Sequence, residues 1–253
     1  MKPITKLFCM AASLIIVASI GGFTGGCSFN PHRQPTGPKS RPVYMDGSMT
    51  KPNASSTAKP TATPTVRSLF DGKTLAGWKD SGFAGAGETK VEADFKGQGP
   101  VILIEAGASL SGITFTNPVP KNNFEITLEA LKVQGNDFFI GLTFPVGEAH
   151  ATLVLGGWGG ATTGISSIDG LDASENDTTK FLGYEKDKWF RIRMKVTPAR
   201  LETWINDEKV VDQDIKERRI SMRFGEIESS VPLGIATYQT TTVVRKIDIK
   251  PVQ

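Results

Sequence analysis

Cysteine and histidine are nearly missing from this chain of 253 residues, which has two of each. Cys9 and Cys27 both lie near the N-terminus, so the rest of the chain can form no disulfide, cysteine-held zinc site or cysteine nucleophile. Of the histidines, only His150 lies beyond residue 66. No serine sits in nucleophile-elbow spacing, so a Ser-His-Asp triad has no support. Helix-like composition is confined to a short stretch, residues 214–219. The glycine-rich run over residues 156–160 lacks a Lys-Ser or Lys-Thr ending and a following helix, so it is not a phosphate loop. There is no internal repeat. A basic field is also lacking. The chain is +3 overall, but residues 1–66 carry +6 and residues 67–253 carry −3. The body of the chain therefore offers nucleic acid no counter-charge.

What is present falls into three parts: residues 1–27, 28–66 and 67–253. Lys2 and Lys6 precede an apolar run over residues 7–23, a secretory signal pattern too short for a comfortable membrane span. Thr24-Gly25-Gly26-Cys27 ends that run and resembles a bacterial lipobox, with Thr24 where Leu is usual. The resemblance implies lipid on Cys27 and an exported protein held on the periplasmic or outer-membrane side. Cleavage without lipid, giving a secreted protein, and an uncleaved anchor are the alternatives. Residues 28–66 mix Pro31, Pro35, Pro38, Pro42, Pro52, Pro60 and Pro64 with Ser, Thr, Lys and Gly. With no apolar period to bury, they read as a disordered or extended tether.

Residues 67–253 suffice for one domain with a sizeable core. Phe124, Ile126 and Leu128 alternate with Glu125, Thr127 and Glu129, and Phe190, Ile192, Met194 and Val196 alternate with Arg191, Arg193 and Lys195. Period two is the mark of half-buried strands. Residues 101–104, 139–144, 151–155, 231–238 and 242–249 read as further strands. Thr197-Pro198-Ala199 and Asn206-Asp207 read as hairpin turns. Many short strands between Gly, Pro, Asn and Asp predict an all-β fold, a two-sheet jelly-roll sandwich.

The stretch SLFDGKTLAGWK, residues 68–79, resembles the opening of the family called domain of unknown function 1080, or 3-keto-disaccharide hydrolase. The stretch from Trp189 to Asp212, with Trp204-Ile205-Asn206-Asp207 leading into a short apolar strand, resembles the concanavalin A-like lectin/glucanase fold, which that family shares. Locally, Asp71-Gly72 is a turn signal, while Leu75 and Trp78 can plug the rim of a core.

Four features in the middle of the chain carry candidate chemistry. Gly135-Asn136-Asp137 is a turn before a strand, where the resemblance implies a Gly-Asn-Ser-Gly-like turn. His150 shares a strand face with Thr152 and Val154, and imidazole serves as base, ligand or donor. The family pattern of aromatic-Glu-x-Gln is replaced near here by His150-Ala151-Thr152-Leu153. Gly156-Gly157-Trp158-Gly159-Gly160 presents one indole on a glycine-rich turn, a stacking platform for a sugar or else a cap on the core. Asp169, Asp172, Glu175, Asn176 and Asp177 place four carboxylates and an amide in nine residues. That density suits Ca²⁺ or another divalent cation, though the spacing is not that of an EF-hand; a plain polar loop is the alternative.

The resemblance implies cleavage of 3-keto-glycosides by base-assisted elimination followed by hydration. A ketone at sugar C3 acidifies the C2 hydrogen, so the protein must supply a base, a partner for the enolate oxygen and an acid for the leaving oxygen. The expected catalytic residues are His150, Asp137 and Asp169. Asn136 and Trp158 are the expected substrate contacts, and Asp169, Asp172, Glu175 and Asn176 the expected metal ligands. A non-catalytic carbohydrate-binding module and a structural surface lipoprotein are the alternatives.

Overall fold

The computed structural model describes residues 65–253. The signal segment, Cys27 and most of the tether lie outside the described residues. The first strands are β1 (Arg67–Ser68), β2 (Trp78–Asp80), β3 (Thr89–Glu92), β4 (Val101–Ile104) and β5 (Leu110–Phe115). Then come β6 (Phe124–Gln134), β7 (Ile140–Val146), β8 (Ala149–Gly156), β9 (Thr162–Ser166) and β10 (Lys180–Phe181). The last are β11 (Trp189–Val196), β12 (Arg200–Ile205), β13 (Glu208–Asp214), β14 (Gly234–Tyr238) and β15 (Thr241–Pro251). One sheet runs β13-β12-β11-β6-β15-β4-β3, with β1 on β15, and the other runs β10-β9-β8-β7-β14-β5-β2. Every ladder is antiparallel. This is the two-sheet jelly-roll sandwich that the alternation predicts.

The first sheet shows why. On β6, Phe124, Ile126, Leu128 and Ala130 face the core, opposite Val196, Met194, Ile192 and Phe190 of β11. The residues between them face out. Glu125 there pairs with Arg193 at 3.3 Å and with Lys250 at 2.9 Å. Arg193 in turn lies 3.7 Å from the centroid of the Trp204 ring. The second sheet answers with Ile113, Phe115, Ile140, Leu142, Phe144, Leu153, Ile165 and Ile235, so the inner faces close on one apolar layer.

The opening stretch is a structural knot. Asp71 Oδ1 accepts the N–H groups of Lys73 (2.8 Å) and Thr74 (2.7 Å), which closes the turn at Gly72. Leu69 N–H reaches Ile247 O at 2.7 Å, and Trp78 Nε1 donates back to Leu69 O at 2.7 Å. The buried indole packs 5.0 Å from the Phe115 ring. Gly77 sits at φ +82°, where a Cβ would lie 2.9 Å from Phe115.

Residues 214–219 are not helical. Ile215 is buried, its N–H donates to Ala199 O at 2.9 Å, and Asp214 Oδ1 caps Lys216 N–H. Burial of one apolar side chain overrides local propensity here. The segment after it forms a strap that sequence alone does not reveal. It ends in a 3-10 turn, Glu226–Ser230.

Gly77→Ala combines a left-handed backbone with a clash, and destabilisation of about 1–3 kcal/mol is expected in urea titrations of the purified chain. Trp78→Phe should cost about 1 kcal/mol or more by leaving Leu69 O unpaired.

Candidate functional site

A groove of about 400 Å³ lies on the outer face of the second sheet. Its floor follows from strand alternation. Ala151, Leu153 and Leu155 of β8 are wholly buried in the core, so Thr152 and Val154 point the other way. Ser166 of β9, Tyr238 of β14, Leu110 of β5 and Phe138 ahead of β7 complete the floor. Phe138 and Tyr238 lie 6.0 Å apart between ring centroids.

One wall is the turn that carries Trp158. The indole is 43% exposed, so it does not cap the core. Its backbone stands at φ 49°, ψ 52°, a left-handed conformation that costs an L-residue about 1–2 kcal/mol. Asp137 holds the turn in place. Its Oδ1 accepts Phe138 N–H at 2.7 Å and its Oδ2 accepts Gly159 N–H at 3.2 Å. Gly160 approaches so closely that a Cβ there would lie 2.9 Å from Asn136 O.

The strap forms the opposite wall with Arg223, Phe224, Glu226 and Ile227. Ser221 and Ser167 exchange backbone hydrogen bonds at 2.8 and 3.2 Å, which docks the start of the strap beside β9. Met222 crosses β8 at Thr152, whose hydroxyl lies 3.9 Å from the sulfur. Further on, Glu226 Oε1 accepts Ala84 N–H at 3.2 Å. Phe224 is 93% exposed at the rim. Arg223 spans the groove's end, 5.7 Å from the Trp158 ring centroid, and pairs with Asp172 at 3.1 Å.

Residues 65–250 match the 3-keto-alpha-glucoside-1,2-lyase-like domain. The chain belongs to this family. Among curated proteins no relative is matched. Similar solved structures include a carbohydrate-binding module, CBM66, from Bacillus subtilis, 12% identical over 69% of this chain and 95% of that one, at a TM-score of 0.44. Domain 4 of an extracellular arabinanase from Geobacillus stearothermophilus is 10% identical over 75% of this chain and 82% of its own, at 0.44. The apo Crh5 transglycosylase is 9% identical over 76% of this chain and 85% of its own, at 0.49.

Within this family member, the groove gathers only part of the expected site. Asp137 and Trp158 line it, and Asn136 backs the Trp158 turn through its carbonyl. His150 and Asp169 are not among the lining residues. His150 shares the face of Thr152, but the strap crosses β8 at Thr152 and leaves the imidazole beyond it. Positions 151 and 153 face the core, where a carboxylate or amide would be buried among apolar side chains. The outward residues of that strand, His150, Thr152 and Val154, supply no carboxylate.

The acidic loop does not fit a cation. Among the described residues no group of three or more His, Cys, Asp or Glu side chains is placed to hold a metal ion. Arginines take up the charge instead. Asp169 lies 2.5 Å from Arg218 Nε, Asp177 3.1 Å from Arg218 Nη2, and Asp172 is held by Arg223. The Arg219 N–H, together with the Arg218 charge and against a burial penalty, keeps the Asp169 carboxyl below its usual range. Asn176 turns its amide nitrogen to the carbonyls of Ile165, Leu171 and Asp172 at 2.8–3.0 Å, so it braces the loop from within. Glu175 is exposed.

Sequence reasoning missed Arg223, Phe224, Glu226 and Tyr238. The available signal was the alternation of Ile220, Met222 and Phe224 with Ser221 and Arg223, ending at Gly225.

His150 generates a pH prediction. Burial, and then the Lys121 charge, holds its imidazole below the ordinary value, opposed by Glu148. The folded state therefore prefers the neutral ring, while the unfolded chain takes up a proton near pH 6.5. Stability should fall as pH drops from about 7.5 to about 5.5, above the range where carboxylates titrate. The His150→Gln chain should lose less over that window in thermal melts at matched salt.

Proposed function

We propose that the groove binds a 3-keto-α-glycoside and that the chain cleaves it by elimination and hydration. The observation that carries this reading is the pairing of an exposed indole with two carboxylates on facing walls. Trp158 offers a π face to the C–H face of a pyranose, and Phe224 and Tyr238 extend the aromatic surface. Asp137 stands on the turn wall and Glu226 on the strap.

The chemistry of the substrate suits that arrangement. In an α-glucoside chair, the C2 hydrogen and the glycosidic oxygen are axial on opposite faces of the ring. Loss of both places a base on one side and an acid on the other. Asp137, fixed by two backbone N–H groups, is assigned the base that takes the C2 proton. Glu226 is assigned the acid that protonates the departing oxygen as the C1–O bond breaks. Arg223, the one cation lining the groove, is assigned to the C3 oxygen, which gains charge as the enolate forms. Water then adds across C1 and C2 and completes net cleavage. His150 has no part in this scheme.

A second reading, a non-catalytic carbohydrate-binding module, draws on the absence of any carboxylate along the outward face of β8. The test is release of free sugar from a 3-keto-α-glucoside by the purified chain, alongside direct binding. Trp158→Ala should weaken binding about tenfold, and Asp137→Asn should abolish release while binding persists. Binding without release would favour the module, and neither binding nor release would overturn both readings.

We also propose that the protein is exported and lipid-anchored through Cys27. Cys27→Ser should move it from the membrane to the soluble fraction on cell fractionation. Unchanged membrane partition would contradict the anchor.

A further inference from the structure

We propose that Asp172 is a positioning residue that holds Arg223 across the groove, an inference that rests on the reading above. Arg223 is the only cation among the lining side chains, and the lining also contains two anions, Asp137 and Glu226. Glu226 follows it by three residues on the same strap. A long, flexible guanidinium beside them would pair with one carboxylate and silence both charges.

Asp172 prevents that pairing. Its Oδ2 lies 3.1 Å from Arg223 Nη1, and its Oδ1 accepts the Ser167 hydroxyl at 3.3 Å. The carboxylate is 22% exposed while Arg223 is 55% exposed, so the fixed partner is the aspartate. The loop that carries it is itself tied down, since Asn176 donates to Asp172 O at 2.9 Å and Ala173 N–H reaches Ser166 Oγ at 2.9 Å. Ser166 is part of the groove floor. Asp172 thus draws the guanidinium toward β9 and over the Trp158 ring. The remaining N–H groups are left for a sugar oxygen. The acidic loop, which in sequence suggests a metal, organises the groove through this arginine.

A double-mutant cycle tests the claim. With a 3-keto-α-glucoside as the probe, Asp172→Asn should lower kcat about ten- to a hundredfold with little change in KM. Asp172→Glu should restore part of it. In the Arg223→Gln background, Asp172→Asn should cost nothing further. An equal loss in both backgrounds, or no loss in either, would overturn the inference. A second arm needs no turnover. Acrylamide quenching attributable to Trp158, taken as the difference from the Trp158→Phe chain, should rise in Asp172→Asn as the guanidinium leaves the ring. Unchanged quenching would overturn the positioning role whatever the activity. A wild-type chain inert toward the sugar, with quenching altered as expected, would instead overturn only the proposed function.

Discussion

The burial of two apolar sheet faces against each other is the constraint on which the rest depends. It fixes the direction of every alternate side chain. Ala151, Leu153 and Leu155 go inward on β8 with no exposure, and His150, Thr152 and Val154 are therefore sent outward. A one-residue slip would exchange the two sets and bury a histidine. The same rule divides β6, where Phe124, Ile126 and Leu128 build the core and Glu125 and Glu129 build the charged outer face. Chemistry in such a molecule can arise only from outward residues and from the turns and strap above them.

The strap converts a sheet face into a groove. It has little regular structure of its own, so it depends on contacts made to others. Ser221 pairs with Ser167, Asp169 accepts Arg219 N–H at 2.7 Å, and Arg218 bridges Asp169 and Asp177. These ion pairs are largely exposed and each is worth little alone. Their value is in register: together with the backbone pairing they put Arg223, Phe224 and Glu226 over the floor. The opposite wall is fixed by a different device. Asp137 uses both oxygens on backbone N–H groups and holds Trp158 in a left-handed turn.

Much of the sandwich was legible in the sequence, because period-two alternation is local and the Asn206-Asp207 turn is unambiguous. Both residues adopt positive φ, 50° and 72°, as a tight hairpin demands. The site was legible only where a motif lay within one turn, as at Asp137 and Trp158. Arg223 and Glu226 are some 65 or more residues away in sequence from Trp158, and nothing local announces their approach. The acidic loop left two readings open because charge density reads alike whether a metal or an arginine balances it. That Ala151 and Leu153 face the core was not legible, because the face of a strand residue depends on register and a shift of one residue reverses it.

The central claim is that a sugar occupies the groove between the Trp158 turn and the strap. Trp204 is a natural reference, since it lies on the outer face of the first sheet beneath Arg193 and Lys209. Titration of the chain with a 3-keto-α-glucoside, followed through assigned indole N–H resonances, separates the two faces. The account predicts saturable movement of the Trp158 resonance with Trp204 unmoved. Movement of Trp204 with Trp158 unmoved, or of neither, would contradict it.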